Sequence, residues 1–460
     1  MSGTARPDIG GPQDLFYSSR NTMSLPLIVR GEGIYLIDDA GRRYVDVVSG
    51  AFTANLGQGN RRVLQAMYDQ GMALSYSYVR VSRHQPNTEL TRRIAELAGP
   101  GFERVHLSSG GSEAVEMAVK FLRQYAFAQG QTRKTRVITL MPSYHGGTLA
   151  TLGWTGDEDI PAVWHDMTVP SAKVPAPLTY RPCEGETAQE SARASVAALE
   201  RTIVELGADN VLAFMFEPVG GQSTGANVPH PDFFSGVADV CRRHGVYVIF
   251  DEVMAAVRSG SFLAAHRHPE CPPHVVVSAK GIGAGYTPLG VVLAPAAMVD
   301  ALAEHTGFNL SHTYNANPIA CAAGIAVIDE LVDRRLVEAS REIGAYLMER
   351  LEAMKERSPI VGDVRGEGLL LAIEYVRDKA TKAIFPDEVR ASDRIRQIGL
   401  DHGIMLYSRR QNGGRYGEWS IISPPLIITR PQVDDLVQRL TATLDAFTDE
   451  MTRAGVTIGH

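Results

Sequence analysis

The chain has 460 residues, of which 44% are hydrophobic and 21% are charged, and its formal net charge is −7. This length and composition indicate a globular protein with a large core and two or three domains. Both signs of charge are spread along the chain, which excludes the basic face of a nucleic-acid-binding protein. No run approaches the ~18 apolar residues of a membrane span, so we expect a cytoplasmic protein without membrane partners.

The cysteines of the sequence predict neither a metal site nor a disulfide framework. Cys183, Cys241, Cys271 and Cys321 are far apart and form no short metal-ligand spacing. We expect reduced thiols, as in a cytosolic protein. Residues 1–12 are rich in glycine and proline and lack the basic-then-apolar pattern of a signal peptide.

The first half of the chain predicts a hairpin followed by alternating helices and strands. The hairpin spans 33–48, with a turn at 38–41. Helix and strand patterns alternate from about Asn60 to Leu331, which predicts a mostly parallel sheet covered by helices. The segment 172–190 is rich in proline and polar residues and predicts a long surface loop. The strands predicted in this region are 105–107, 136–140, 211–216, 246–250 and 275–277.

The pattern changes past Leu331 and predicts a smaller domain. A long amphipathic helix is marked by apolar residues on one face, namely Leu336, Ile343, Leu347, Leu351 and Met354. A strand at 368–375 follows, and the chain closes with a helix that has Pro431 in its first turn. We therefore predict an N-terminal segment (1–59) that joins the small domain, a large domain (60–331) and a C-terminal small domain (332–460).

A glycine-rich turn predicts a phosphate site. Ser109-Gly110-Gly111-Ser112 follows the strand at 105–107 and precedes a predicted helix. A strand, a glycine turn and a helix start gather free backbone N–H groups at the positive end of a helix dipole, which suits an anion. A simple helix cap is an equally good interpretation of this turn by itself. The spacing differs from those of dinucleotide and nucleoside-triphosphate loops.

Two apolar strands each end in a side chain with useful chemistry. Asp251 follows the run 246–250, and Lys280 follows the run 275–277 and precedes the glycine-rich turn 281–286. A lysine amine and a carboxylate at one sheet edge suit pyridoxal phosphate, whose aldehyde bonds to the lysine and whose pyridine nitrogen pairs with the aspartate. Tyr144, after the strand at 136–140, could stack on the ring. Taken singly, these residues also fit a helix-capping aspartate, a surface lysine and a packed loop aromatic.

Seven segments together resemble the class III (omega) aminotransferases, of fold type I among pyridoxal phosphate enzymes. The resemblance covers roughly 27–447, and the matching segments are 109–114, 144–146, 217–219, 250–253, 279–282, 312–314 and 424–426. It implies an α/β fold whose large domain has a mostly parallel sheet of the seven-stranded type. The N- and C-terminal segments would form a smaller α+β domain.

The resemblance implies roles for individual residues. Lys280 would be the Schiff-base lysine and would also move the proton, and Asp251 would hold the pyridine nitrogen. Thr313 would reach the phosphate across the interface of a homodimer. The remaining cofactor-binding residues would be Gly110, Gly111 and Ser112 at the phosphate, Tyr144 and Val253 on the two ring faces, and His145 and Glu217 nearby.

Substrate-binding positions follow from the same resemblance. Phe52 matches a place where amine transaminases carry a pocket aromatic, and Phe16 and Tyr17 would contribute from the N-terminal segment. Many relatives bind a substrate carboxylate with a mobile arginine shortly before the Pro424-Pro425-Leu426 motif. Arg415 is the candidate for that arginine here, with Arg409 and Arg410 nearby, and a solvated loop arginine is the alternative.

We therefore expect a homodimeric aminotransferase that moves an amino group from an amine or omega-amino acid to a keto acid such as pyruvate. A same-fold aminomutase, racemase or decarboxylase acting on one substrate would use the same lysine and aspartate. A non-catalytic protein that binds a phosphate ligand is the third alternative, because fold does not imply function.

Overall fold

The structure is a computed structural model that describes residues 25–160, 162–182 and 187–459. Its strands are β1 (Ile28–Glu32), β2 (Tyr35–Asp38), β3 (Arg43–Asp46), β4 (Arg104–Ser108), β5 (Arg136–Met141), β6 (Ala172–Pro175), β7 (Val211–Phe216), β8 (Tyr247–Asp251), β9 (Val275–Ser278), β10 (Gly290–Ala294), β11 (Val361–Glu367), β12 (Leu370–Tyr375), β13 (Ile404–Met405), β14 (Tyr407–Arg410) and β15 (Glu418–Ile422). Its helices are α1 (Ser49–Phe52, a kinked turn), α2 (Arg61–Ala73), α3 (Gln85–Ala98), α4 (Gly111–Ala128), α5 (Leu149–Trp154), α6 (Ala188–Leu206), α7 (Pro231–His244), α8 (Ala296–Ala303), α9 (Pro318–Asp333), α10 (Leu336–Arg357), α11 (Ala391–Asp401) and α12 (Arg430–Arg453).

The central sheet has seven strands in the order β4-β10-β9-β8-β7-β5-β6, which confirms the predicted α/β fold with a mostly parallel sheet. Only β10 runs against its neighbours, pairing antiparallel with both β4 and β9. Strands β8 and β9 are adjacent and parallel, with Asp251 opposite Val277. Their carboxyl ends therefore meet at one edge, where open α/β sheets bind ligands.

The five strands predicted for this sheet are present, and two further strands escaped prediction. The surface loop predicted at 172–190 is wrong at both ends, because β6 occupies Ala172–Pro175 and α6 begins at Ala188. Strand β6 is short, lies at the edge of the sheet and ends in proline, which edge strands tolerate. Strand β10 is fully buried but only five residues long, so it gives no periodic signal.

Two four-stranded sheets complete the fold. The predicted hairpin is present as β2 and β3, which pair antiparallel, and β1 adds to β2. The edge of this sheet is completed by β13, which pairs parallel with β3 from a distant part of the chain. The other sheet has the order β11-β12-β15-β14 and is antiparallel. The domain boundaries at 59/60 and 331/332 stay predictions.

The two long helices of the C-terminal region are present as predicted. Helix α10 buries Leu336, Leu347, Leu351 and Met354 on one face. Helix α12 has Pro431 in its first turn, where a missing N–H costs no hydrogen bond. Among the residues that the structure describes, no helix has the length and apolar character needed to cross a bilayer.

Candidate active site

A cavity of about 270 Å³ opens at the carboxyl ends of the central strands. It brings together residues from Thr53 to Leu289, which lie up to 236 positions apart in the sequence. The sequence-predicted residues that line it are Gly110, Gly111, Ser112, Tyr144, His145, Glu217, Asp251, Val253 and Lys280. Its wall also contains residues that the sequence did not indicate, including Thr53, Met254 and Thr287.

Lys280 lies two residues beyond the end of β9, in a short 3₁₀ turn with φ of 45°. A left-handed conformation is strained for a lysine and is typical of functional positions. Burial lowers the pKa of the Lys280 amine to about 8, although Asp251 and Glu217 oppose the shift. The next residue must be glycine, because a Cβ atom at Gly281 would lie 2.2 Å from Asn55 Nδ2. The backbone thus holds in the cavity an amine that loses its proton near pH 8.

Asp251 is the last residue of β8 and is buried. Its Oδ2 atom lies 2.8 Å from Nδ1 of the buried His145, and its Oδ1 atom accepts a hydrogen bond from the Val253 amide. The other ring nitrogen of His145, Nε2, is buried without a hydrogen-bond partner in the described part of the chain. These contacts fix the carboxylate at the floor of the cavity.

The glycine turn leaves a helix N-terminus open toward the same cavity. Helix α4 is 18 residues long, and no side chain of the described residues caps it at Gly110. The Ser112 hydroxyl accepts a hydrogen bond from the Gly147 amide at 3.0 Å. A Cβ atom at Gly146 would lie 2.5 Å from Ser112 Oγ, so only glycine allows this approach. The result is a cup of backbone amides that suits a phosphate.

These three features fit pyridoxal phosphate. An open helix N-terminus suits its phosphate, a buried carboxylate suits its protonated pyridine nitrogen, and a buried amine suits its aldehyde. Val253 packs against the glycine turn, with its methyl groups 3.2 and 3.3 Å from where a Cβ atom of Gly111 would lie. Tyr144 lines the same cavity. The residues could therefore hold the ring as well as both of its ends.

Glu217 connects the cavity wall to Tyr144. Its Oε2 atom accepts a hydrogen bond from the Tyr144 amide at 3.1 Å, and its Oε1 atom accepts one from the Gly221 amide at 2.9 Å. Burial raises the pKa of the Glu217 carboxyl to about 7. This side chain can therefore change protonation near neutral pH beside the ring site.

Phe52 is a buried aromatic residue that lies next to the lysine, and the neighbouring Thr53 lines the cavity. The Lys280 Nζ atom lies 5.7 Å from the centroid of its ring. The ring meets Tyr407 edge-on, with centroids 5.5 Å apart, and the Tyr407 hydroxyl donates a hydrogen bond to Gln222 Oε1 at 3.1 Å. The sequence indicated neither Tyr407 nor Gln222, because no motif contains Tyr407 and only β14 brings it here. Two aromatic rings therefore lie on this side of Lys280.

The arginines near the end of the chain lie differently from the prediction. Arg415 is 66% exposed, lies 3.3 Å from Glu158 and lines a separate cavity, so the structure does not bring it to the lysine. Arg409 is only 18% exposed, forms an ion pair with Asp157 and lies beside Tyr144 and Tyr407. Phe16 and Tyr17, the other predicted substrate residues, lie outside the described residues.

Thr313 lies on the surface rather than in this cavity. Its carbonyl accepts a hydrogen bond from the Tyr76 hydroxyl at 2.8 Å, and the Tyr76 ring meets that of Tyr314 with centroids 6.0 Å apart. Several large apolar side chains are exposed in these segments, namely Tyr68, Met72, Tyr76, Val81, Leu310 and Tyr314. Exposed apolar surface of this kind is typical of a protein interface.

Comparison with known proteins agrees with this chemistry. Residues 16–444 match the family described as Aminotransferase class-III. The diaminobutyrate–2-oxoglutarate transaminase of Halomonas elongata is 32% identical over 443 residues, covering 93% of this chain and 92% of that one. An (S)-enantioselective omega-transaminase of Thermomicrobium roseum has a TM-score of 0.84 at 33% identity, with 92% and 93% of the two chains covered. The omega transaminase of Pseudomonas jessenii in complex with PMP has a TM-score of 0.85 at 27% identity, with 92% and 93% covered.

Proposed function

The chain belongs to the class III aminotransferases, a pyridoxal phosphate-dependent family, and we propose that it moves an amino group from an amine or omega-amino acid to a keto acid such as pyruvate. The observation that carries this proposal is the placement of Lys280, Asp251 and the open N-terminus of α4 around one cavity. These groups match the aldehyde, the pyridine nitrogen and the phosphate of the cofactor.

Lys280 is the proposed base. When bound, pyridoxal phosphate supplies an electron sink for the bond that breaks at the substrate carbon. The Lys280 amine would take the proton from that carbon, and its pKa of about 8 suits a group that both accepts and releases a proton near neutral pH. The amine is buried and lies beside the Phe52 ring.

Asp251 and His145 are the proposed partners of the pyridine nitrogen. The Asp251 carboxylate stabilises a positive charge on that nitrogen, and the buried His145 contact prevents the carboxylate from turning away. We assign the phosphate to Gly110, Gly111 and Ser112, the ring faces to Tyr144 and Val253, and the neighbourhood of the ring oxygen to Glu217.

The donor is proposed to be an amine with an apolar or weakly polar substituent. The rings of Phe52 and Tyr407 place aromatic groups beside Lys280, which suits such a substituent. The omega-transaminase of Thermomicrobium roseum is a structural neighbour, which supports the same class of donor. A carboxylate on the donor or on the keto acid would be bound by Arg409 rather than by Arg415, since Arg409 lies beside Tyr144 and Tyr407.

A homodimer is proposed as the active unit. Thr313 is exposed next to an apolar surface, which fits a residue that reaches the phosphate of a partner subunit. The exposed apolar side chains Tyr68, Met72 and Tyr314 would be covered in that assembly.

The test is the visible absorption spectrum of the purified protein after addition of pyridoxal phosphate. An amine donor should bleach the cofactor band, and pyruvate should restore it, which are the two half-reactions of a transaminase. The Lys280→Ala variant should bind the cofactor but show neither step. A band that no amine bleaches, with product formed from one substrate alone, would instead favour an aminomutase, racemase or decarboxylase. Binding without any amine-dependent change would favour the non-catalytic alternative.

A further inference from the structure

The Phe52 turn, residues 49–52, has an unusual backbone. Ser49, Gly50 and Phe52 have φ angles of 49°, 70° and 62°, and two of these three residues carry side chains that disfavour this region. Such a conformation persists only where the surroundings hold it in place. The turn places the Phe52 ring centroid 5.7 Å from Lys280 Nζ, so the groups that hold the turn also fix where this ring lies relative to the amine.

Asp46 is the first group that holds the Phe52 turn. Its carboxylate accepts hydrogen bonds from the Gly50 amide at 2.7 and 2.9 Å and from the Val48 amide at 3.2 Å. The side chain is 2% exposed, and burial raises the pKa of this carboxyl. A buried carboxylate needs a nearby positive charge, and the charge that acts on Asp46 is the Arg258 guanidinium.

Arg258 is one of the largest fully buried side chains among the described residues. Its Nη1 atom donates to Ser423 Oγ at 2.9 Å, to the Ser423 carbonyl at 3.2 Å and to the Pro424 carbonyl at 3.3 Å. Its Nε and Nη2 atoms have no hydrogen-bond partner in the described part of the chain. Burying a guanidinium group with two unpaired nitrogen atoms lowers the stability of the fold. A role other than stabilising the fold is therefore a better explanation of its position.

Ser423 provides a second connection to the Phe52 turn. Its carbonyl, which accepts from Arg258, also accepts a hydrogen bond from the Ser49 hydroxyl at 2.8 Å. Its amide donates to the Val47 carbonyl at 2.8 Å. Arg258 thus reaches the turn in two ways, by charge through Asp46 and by hydrogen bonds through Ser423.

We propose that Arg258 is a positioning residue that, with Asp46 and Ser423, holds the Phe52 turn and so determines which amine substituents fit beside Lys280. The proposal rests on the proposed function and adds a determinant of substrate size to it. The charged groups that act on Lys280 are Asp251, Glu217 and Arg258. Arg258 opposes protonation of the amine, and burial lowers the guanidinium pKa without removing its charge at neutral pH.

The first experiment measures selectivity between a small aliphatic amine and an aryl-substituted amine, as a ratio of kcat/KM values. Ser49→Ala removes the bond to Ser423 but no charge, and it should change this ratio by about fivefold, the effect of one buried hydrogen bond. In a Phe52→Ala background the same substitution should leave the ratio unchanged, because the residue that the turn positions is gone. The proposal would be overturned if Ser49→Ala lowered kcat/KM equally for both amines and if this loss added to that of Phe52→Ala in the double variant.

The matched control is Ser340→Ala. Ser340 is equally buried, and its hydroxyl donates to the carbonyl of Val257, the neighbour of Arg258, but it makes no bond to the turn. Its substitution should leave the selectivity ratio unchanged. A change as large as that of Ser49→Ala would mean that any perturbation near Arg258 produces the effect, which would also overturn the proposal.

The second experiment needs no turnover, so it separates this proposal from the proposed function. In protein freed of cofactor, the rate at which acetic anhydride labels Lys280 is followed against pH by mass spectrometry of the peptide. Arg258→Met should move the midpoint to higher pH, because a positive charge near the amine is lost, whereas Arg258→Lys should keep it. An unchanged midpoint in folded Arg258→Met would contradict the proposed effect of the Arg258 charge on Lys280. If Arg258→Met fails to fold, the Ser49→Ala variant of the first experiment still tests whether the Phe52 turn is held in position.

Discussion

His145 Nδ1 lies 2.8 Å from Asp251 Oδ2, and both side chains are buried at the end of β8. The contact predicts an order of effects. Asp251→Asn removes the charge that would stabilise the pyridine nitrogen, so the amine half-reaction should slow by about 100-fold or more. His145→Gln keeps that charge and loses only its orientation, so a loss of about tenfold is expected. Single-turnover bleaching of the cofactor band measures both, and a larger loss for His145→Gln would contradict the assignment.

The lowered pKa of Lys280 predicts the pH dependence of the protein freed of cofactor. The amine is protonated below about pH 8 and neutral above it, so its labelling rate should rise through pH 8 and then level off. A midpoint near 10.5, the ordinary pKa of a lysine side chain, would contradict the burial of the amine.

The same shift predicts how Lys280 affects stability. In the unfolded chain the amine keeps its proton up to about pH 10.5, so the unfolded state binds more protons between pH 8 and 10.5 and stability rises across that window. Lys280→Ala should therefore stabilise the cofactor-free protein at pH 7, and the gain should shrink as the pH approaches 10.5. Urea unfolding at both pH values measures this difference, and a constant gain would contradict the linkage.

Two neighbouring glycines provide a matched test of the phosphate cup. A Cβ atom at Gly146, where φ is 138°, would lie 2.5 Å from Ser112 Oγ and 2.6 Å from Thr151 Oγ1, whereas one at Gly147 would meet nothing within 4 Å. Gly146→Ala should weaken pyridoxal phosphate binding by about tenfold or more, because Ser112 must move. Gly147→Ala should leave the dissociation constant unchanged. Equal effects of the two variants would show that the Ser112 side of the turn does not bind the phosphate.

We expect substitutions of Arg409 and Arg415 to differ in their effect on keto-acid binding. Arg409 is held beside Tyr144 and Tyr407, whereas Arg415 is exposed and pairs with Glu158. Arg409→Gln should raise the KM for a keto acid by about tenfold, since a charged hydrogen bond to the carboxylate is lost. Arg415→Gln should not change it. An effect confined to Arg415→Gln would restore the prediction made from the sequence.

The exposed apolar side chains on and near α2 predict that this surface is buried in the proposed homodimer. Met72 is 74% exposed on α2, near the Tyr76–Tyr314 contact, and a charge placed there would oppose burial in an interface. Met72→Glu should give monomers by analytical ultracentrifugation and weaken cofactor binding, because Thr313 would lose its partner. Val204→Glu is the control, since Val204 is exposed on α6, and it should leave the oligomeric state unchanged. A monomeric unsubstituted protein with full activity would overturn the proposed dimer.

The fold could be predicted where apolar runs are long and uninterrupted. The run 211–216 is buried at every position and matches β7 at both ends. Strand β6 could not be recognised, since Ala172-Lys173-Val174-Pro175 has one apolar side chain of any size and its pairing depends on β5. Strand β13 has two residues, and only the partner strand β3 makes it a strand.

Some residues of the candidate site could be predicted from the sequence and others could not. Lys280 and Asp251 stand out because each follows an apolar strand, and parallel strands carry their ends to one edge. Tyr407 and Gln222 are connected to Phe52 by tertiary contacts that no local sequence pattern indicates. Arg258 and Asp46 look like surface residues in the sequence, since charged side chains are seldom fully buried. Only the structure shows that both are buried and that the Arg258 charge acts on Asp46.

The pairing of β3 with β13 has a consequence for the order in which the protein can form. Strand β3 ends at Asp46, but its parallel neighbour begins at Ile404. At translation rates of about 5 to 20 residues per second, the first three strands wait tens of seconds on the ribosome with one edge unpaired. During biosynthesis that edge is open to other nascent chains, so efficient production should depend on chaperones that shield the N-terminal hairpin until the last sixty residues emerge.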